Sequence, residues 1–467
     1  MLLQFGIMTH HPPARSHRTD TVALIADWLE SERLRALDVV AASGRAPSYS
    51  ATRWVGKTDG PSQSSYEEQL VEVSAANNHE SLRDIERASY GQRRTAEEIA
   101  ARLVAEFGAD SVPWGVHRVF ARTTPETTVA RLLSFARTKY LRDLRTLAAD
   151  DPPARLEAAA GLVAMLDAEE LRSVTTIAVG GIDTAGRHLE HSGVSVRELT
   201  SIELGLLAEE ASRGSVSLPA MVPIATRLDS IYSEERHVLR VESAQPKHIQ
   251  PRPGDRFARV LLALQLLGYC PHGSGLTRTW LEPGPDAYAS VGRVSLRLFG
   301  DTMSLGEEDL RRVVALAERI SAGSVARPTS RAEVSLHSFS RSANANNDSD
   351  SLIHAVIALE SLLLFGIRGE LKFRFALYGA LLLGRGVPSR RAIHHALGEV
   401  YDMRSRVVHG AARPKPVDLQ RCAHTARELA SRLLVKAVLC GWPEPSTLER
   451  LALGDADAYP GHEHCLL

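Results

Sequence analysis

Apolar residues recur at three- and four-residue intervals along most of the chain, the mark of amphipathic helices. TVALIADWLESERLRALDVV (residues 21–40), TAEEIAARLVAEF, TTVARLLSFARTKYLRDLRTLAA and SVRELTSIELGLLAEEASRG all carry it. The last two open on Thr or Ser at an N-cap position, the latter on Ser195. RFARVLLALQLLGYC reads as a buried helix, and SLGEEDLRRVVALAERI as a surface helix capped by Ser304. Period-two alternation is rarer. VTTIAVGGI (174–182) and GRVSLRLF (292–299) are the strand candidates, while Ser, Gly and Pro in 43–65 read as a loop or linker.

The C-terminal pattern is the most regular. DSLIHAVIALESLLLFGI is a helix apolar nearly all round, and GELKFRFALYGALLLG is a second, stopped at Gly384. PSRRAIHHALGEVYDMRSRVVHG is a third, expected to start on Ser389 after Pro388 and to stop at Gly410. DLQRCAHTARELASRLLVKAVLCG is a fourth. Short connections favour an antiparallel bundle. The expected fold is therefore mainly α: a C-terminal antiparallel helical bundle behind a larger, mostly helical N-terminal region with minor β. The segments are an N-terminal helix and loop (1–65), a helical region (66–242), a connecting α region with minor β (243–330), the bundle (331–455) and a tail (456–467), with the polar run SRSANANNDSD (340–350) setting off the bundle.

At 467 residues, several domains are expected. Fifty-five basic residues against 56 acidic ones exclude a global attraction to polyanions, so any basic site must be local. No run reaches the roughly 18 apolar residues of a membrane span, and MLLQFGIMTHHPP lacks the basic start of a secretory signal. A cytoplasmic protein with no membrane partner is expected. Cysteines at 270, 422, 440 and 465 form no CxxC pair and suggest neither a disulfide framework nor a zinc ribbon. The HLEH stretch at 188–191 spaces two histidines for one helical face without a third ligand, so a surface pair is expected and no metal or cofactor.

Two charges break the apolar stripes. Ile393, Leu397, Val400, Arg404 and Val407 share one face of the third bundle helix, and Ile353, Val356, Glu360, Leu363 and Ile367 one face of the first. An unpaired buried charge is costly, so Arg404 and Glu360 are expected to meet. His409 ends its helix, where the C-terminal dipole favours the protonated imidazole. Five residues advance a helix by roughly 7.5 Å and 500°. Arg404 and His409 thus sit on different faces, and convergence with a second copy of the motif becomes attractive. Residues 385–421 hold eight Arg and Lys against three acidic residues, a candidate phosphate-attracting rim.

These segments together resemble a HEPN domain of the ApeA-like branch. SDSLIHAVIALESLLL is similar to the family's first conserved helix, with its acidic residue at Glu360. GELKFRFALYGALLLG is similar to the next. YDMRSRVVHG is similar to the signature of Arg, four to six residues, then His, at Arg404 and His409. Ser405 stands where many catalytic members have Asn or Asp, and Tyr378 where an Arg is expected. The resemblance covers about 331 to 455. It implies a metal-independent RNA endonuclease acting at a composite site in a homodimer, in anti-phage defence or as a toxin, with an N-terminal region expected to sense an unknown activating ligand or protein. His409 is then the general acid or base, Arg404 the clamp on the scissile phosphate and Glu360 their positioning residue. Arg406, Tyr401, His395 and Arg413 are the expected substrate contacts. Two other readings stand beside it: a catalytically inactive HEPN module that binds RNA or dimerises, and a structural helical protein whose Arg–Glu pair sets helix register.

Overall fold

The computed structural model describes residues 15–42, 48–58, 64–74, 93–109, 112, 124–142, 152–199, 236–245, 255–273, 275–282, 290–297, 300–320, 330–410 and 414–460. The described chain is mostly helical, with twelve helices and minor strands. It divides into two compact units.

The first unit contains α1 (Arg15–Ala42), β1 (Ser48–Thr58), β2 (Ser64–Ser74), α2 (Arg93–Phe107), α3 (Pro125–Arg142) and α4 (Pro152–Asp167). Ile25 and Leu29 of α1, Leu103 of α2, Leu132 and Leu133 of α3 and Leu162 of α4 are fully buried in one core, as their helical spacing requires. Glu30 and Glu32 tie α1 to its neighbours through Arg155 and Arg137 respectively. The segment expected as a loop at 43–65 instead supplies most of an antiparallel hairpin, with Trp54 opposite Glu68 and Thr52 opposite Leu70. Its Ser and Gly content masked a run of β-branched and aromatic residues that pair across strands.

The second unit holds most of a six-stranded sheet of order β5-β6-β7-β3-β8-β9. Its strands are β3 (Leu171–Val179), β5 (Leu189–His191), β6 (Val194–Glu198), β7 (His237–Gln245), β8 (Leu276–Glu282) and β9 (Ser290–Arg293). A small parallel pair joins β4 (Ile182–Asp183) to β10 (Met303–Ser304). VTTIAVGGI thus contributes most of a central strand. The helix expected from Ser195 starts instead as strand β6: Val194 and Val196 face the core opposite Val241 and Leu239, while Ser195 pairs with Arg240. The rest of that helix lies outside the described residues. His188 and His191 sit on or beside β5, not on a helix, and His188 faces Glu190 at 3.9 Å.

Against the sheet lie α5 (Asp255–Leu266) and α6 (Glu307–Arg319). Every residue of α5 from Val260 to Leu266 is buried. The cap of α6 is Gly306 rather than Ser304; the Asp309 carboxylate accepts the Gly306 N–H at 3.0 Å. One continuous core then runs from these elements into α7 (Arg331–Ala343), α8 (Asp348–Leu363), α9 (Leu371–Leu383), α10 (Val387–His409), α11 (Pro416–Cys440) and α12 (Pro445–Ala452). The middle of the polar run, residues 344–347, is the tight turn between α7 and α8, and its flanks are the ends of those helices. Asn347 caps α8 by accepting the Asp350 N–H at 2.8 Å. Buried Ser342 and Ser351 each donate to the other's carbonyl, at 2.6 and 3.1 Å. Gln265 of α5 donates to Asn344 at 2.8 Å. Helix α10 begins one turn earlier than expected, capped at Gly386 rather than Ser389. Gly410 ends it with φ 64°, the left-handed conformation that glycine adopts without penalty. Cys440 is disulfide-bonded, which the scattered cysteine spacing did not suggest, while Cys270 and Cys422 are free thiols.

Candidate active site

Helix α8 buries Leu352, Ala355, Val356, Leu359, Leu362 and Leu363, so its last turn is anchored deep in the bundle. Glu360 is carried into this apolar setting by its place in the stripe. On α10, Ile393, Leu397, Val400 and Met403 do the same for Arg404. The two side chains meet. Arg404 Nη2 lies 3.7 Å from Glu360 Oε2, each side chain keeping 25% of its surface exposed.

That separation is an ion pair without a hydrogen bond. Arg404 Nε is buried and lacks a hydrogen-bond partner. The guanidinium is therefore held by charge and packing, and its N–H groups make no hydrogen bond with a described residue. Burial raises the Glu360 carboxyl above its ordinary range, and the neighbouring Arg404 charge pulls the other way without cancelling the rise. Both effects follow from forcing a charge pair into an apolar stripe.

The remaining expected site residues are distributed around this pair. Tyr401, one turn before Arg404, is half-buried, its ring 5.4 Å from that of Phe375 on α9. Arg406 is exposed. His409 is exposed on the last turn of α10 and makes no hydrogen bond or ion pair with a described residue. His395 is 77% exposed and faces Glu399 at 3.8 Å. It precedes Arg404 by nine residues, about 13 Å along the helix, so the fold does not gather it with the pair. Arg413 lies outside the described residues.

Residues that the sequence did not single out complete the neighbourhood. Lys372 donates to Asp402 at 2.7 Å, joining α9 to α10. Arg374 donates to the buried Tyr378 hydroxyl at 3.1 Å. A guanidinium thus reaches position 378 from one turn earlier, and the only sequence signal for it was the basic alternation in LKFRF. In the basic stretch, all three acids are already engaged: Glu399 with His395, Asp402 with Lys372 and Asp418 with Arg421. Arg385, Arg391, Arg406 and Lys415 are exposed with no acidic partner among the described residues. No group of three or more His, Cys, Asp or Glu able to hold a metal occurs among the described residues. No helix among them is long and apolar enough to cross a membrane.

Comparison with protein-family models, curated proteins and solved structures finds no match to this chain in any of the three.

Proposed function

We propose that the chain is a metal-independent RNA endonuclease of HEPN type, acting as a homodimer in the cytoplasm in anti-phage defence or as a toxin. The observation that carries this reading is the Arg404–Glu360 arrangement. A guanidinium is set into an apolar stripe beside a half-buried carboxyl, partly open to solvent and without a hydrogen bond to a described residue. A planar cation held in place with free N–H groups is suited to grip a phosphate and to stabilise the charge that grows on it. The unpartnered cations of 385–415 support a polyanionic substrate.

The ribose 2′-oxygen attacks the adjacent phosphorus, the P–O5′ bond breaks, and the products are a 2′,3′-cyclic phosphate and a 5′-hydroxyl end. One group takes the 2′-hydroxyl proton and another delivers a proton to O5′; His409 fills one of these roles. The requirement for the 2′-hydroxyl confines cleavage to RNA. Because Arg404 and His409 lie on different faces of α10, the motif of a second copy supplies the complement. Glu360 positions Arg404.

Purified protein incubated with total RNA in the presence of a chelator tests this. Fragments ending in cyclic phosphate and 5′-hydroxyl are expected, with cleavage reduced about 100-fold or more in Arg404→Ala and His409→Ala. Cleavage at the wild-type rate in both variants rules the nuclease out. In cells, overexpressed wild type is expected to arrest growth while neither variant does. A second reading, an inactive HEPN module that binds RNA, is favoured by the lack of any described partner to orient the His409 ring. RNA retarded in an electrophoretic shift without being cut supports that reading. No shift and no cleavage leaves the pair as a register device.

A further inference from the structure

Beyond the Arg404 region, a cavity of about 490 Å³ opens between the end of α5, the turn that follows it and α11. Leu266, Tyr269, Phe339 and Leu439 give it apolar walls, and Arg297 and Arg427 bring two guanidinium groups into it. We propose that this cavity binds a small amphipathic anion, an apolar or aromatic body bearing one phosphate or carboxylate, with Arg427 and Arg297 receiving the anionic head.

The charge arrangement argues for such a ligand. Arg427 Nη1 donates to the Ser351 hydroxyl at 3.3 Å, and Arg427 forms no ion pair with a described residue. Burial, and next the like charge of Arg297, weaken its hold on its proton. Cys270, and after it Asp348 and Asp301, act on it in the opposite direction. The other charged groups around the cavity are committed or peripheral. Glu428 faces Arg432 at 3.4 Å, Lys436 donates to the Leu382 carbonyl at 2.8 Å, and His424 is exposed. Two guanidinium groups lining one cavity repel one another, and an anion between them reverses that penalty while forming charge-assisted hydrogen bonds. The size matches the roughly 300–1,000 Å³ of small-molecule sites. A half-open, mostly apolar cavity of this volume suits a single small ligand rather than a polymer. The inference does not depend on RNA cleavage.

The probe is 8-anilinonaphthalene-1-sulfonate, an aromatic body with one anionic group, titrated into the full-length protein and followed by fluorescence. One saturable site is expected, weakened about tenfold or more by Arg427→Met and by Arg297→Met, with the melting transition kept. Should Arg427→Met fail to fold because Ser351 loses one of its hydrogen bonds, Arg297→Met and a thiol readout decide. Cys270 lines the cavity as a free thiol, so the bound probe is expected to slow its alkylation, read by peptide mass spectrometry. Adenosine 5′-monophosphate and decanoate as competitors distinguish a phosphate head from a carboxylate head. Unsaturable binding, equal affinity in Arg297→Met, or displacement by neither competitor overturns the proposal. Displacement by inorganic phosphate alone at the same concentration overturns the need for an apolar body.

Discussion

Glu360 binds its proton more tightly than an ordinary carboxyl because it is buried, and Arg404 at 3.7 Å only partly offsets this. Since the folded state raises its affinity, the stability it contributes is full below the usual value near 4.5 and is lost as pH rises through the raised value. Glu360→Gln keeps the shape and removes the charge, so its stability relative to wild type is expected to improve from pH 4 to pH 7. Arg404→Met leaves the carboxylate without a counter-charge. It is expected to cost about 1–2 kcal/mol at pH 7, below the range for fully buried pairs because a quarter of each side chain stays wet. At pH 4, where Glu360 is neutral, the cost shrinks. Urea denaturation at both pH values reads this out, and an equal cost at each would show that the pair carries no electrostatic coupling.

The helices depend on short polar stretches between them. Asn347 accepts the Asp350 N–H with its side chain, so Asn347→Ala is expected to cost about 1 kcal/mol. Ser389 lies inside α10 rather than at its cap, and Ser389→Ala is expected to leave stability within experimental error. Thermal unfolding of the two variants distinguishes the observed caps from the ones the sequence suggests. The α9–α10 corner is tighter still. A Cβ on Gly384 would stand 2.7 Å from the Ala380 carbonyl oxygen and 2.9 Å from the Arg390 Cα. Backbone must move to admit it, and Gly384→Ala is expected to lose about 1–3 kcal/mol. Unchanged unfolding would mean that the corner yields freely. Such caps are hard to read because several small polar residues adjoin each helix start, and only the direction in which the chain enters the helix selects one.

At the scale of the whole molecule, two histidines among the described residues weaken the fold in acid. Burial holds His237 below the usual histidine range despite the pull of Glu198 and Asp183. Burial, with Arg341 nearby, does the same for His354 on α8. Their folded forms resist protonation, so the stability they contribute is full above about 6.5 and falls as pH drops through the lowered values. His354→Gln is expected to lose less stability than wild type between pH 7.5 and pH 5, measured by denaturant midpoints. Equal losses would remove His354 from the account. The core itself joins segments far apart in sequence: Phe257 of α5, Leu310 of α6, Leu359 of α8 and Leu434 of α11 share one cluster.

The regular helices were legible because a three-to-four spacing of apolar residues has only one economical solution, and α8 to α11 fall close to where that spacing places them. The meeting of Arg404 with Glu360 was legible for a related reason: a charge inside an apolar stripe needs a partner, and few were on offer. The hairpin at 48–74, strand β6 and the cap of α10 were not, because strand pairing and chain entry depend on residues distant from the local pattern.

The amino-acid order alone thus determined the helices of the C-terminal bundle, the faces they bury and which two charges must find each other, since each follows from burial along a single helix. Only the tertiary structure decided that 48–58 and 64–74 pair as strands, that residues 344–347 of the polar run form a packed turn, and that Arg297 and Arg427 line one cavity. Those outcomes arise from contacts between segments that sequence spacing does not encode, because a hydrogen-bond ladder or a shared cavity exists only once the chain has brought its distant parts together.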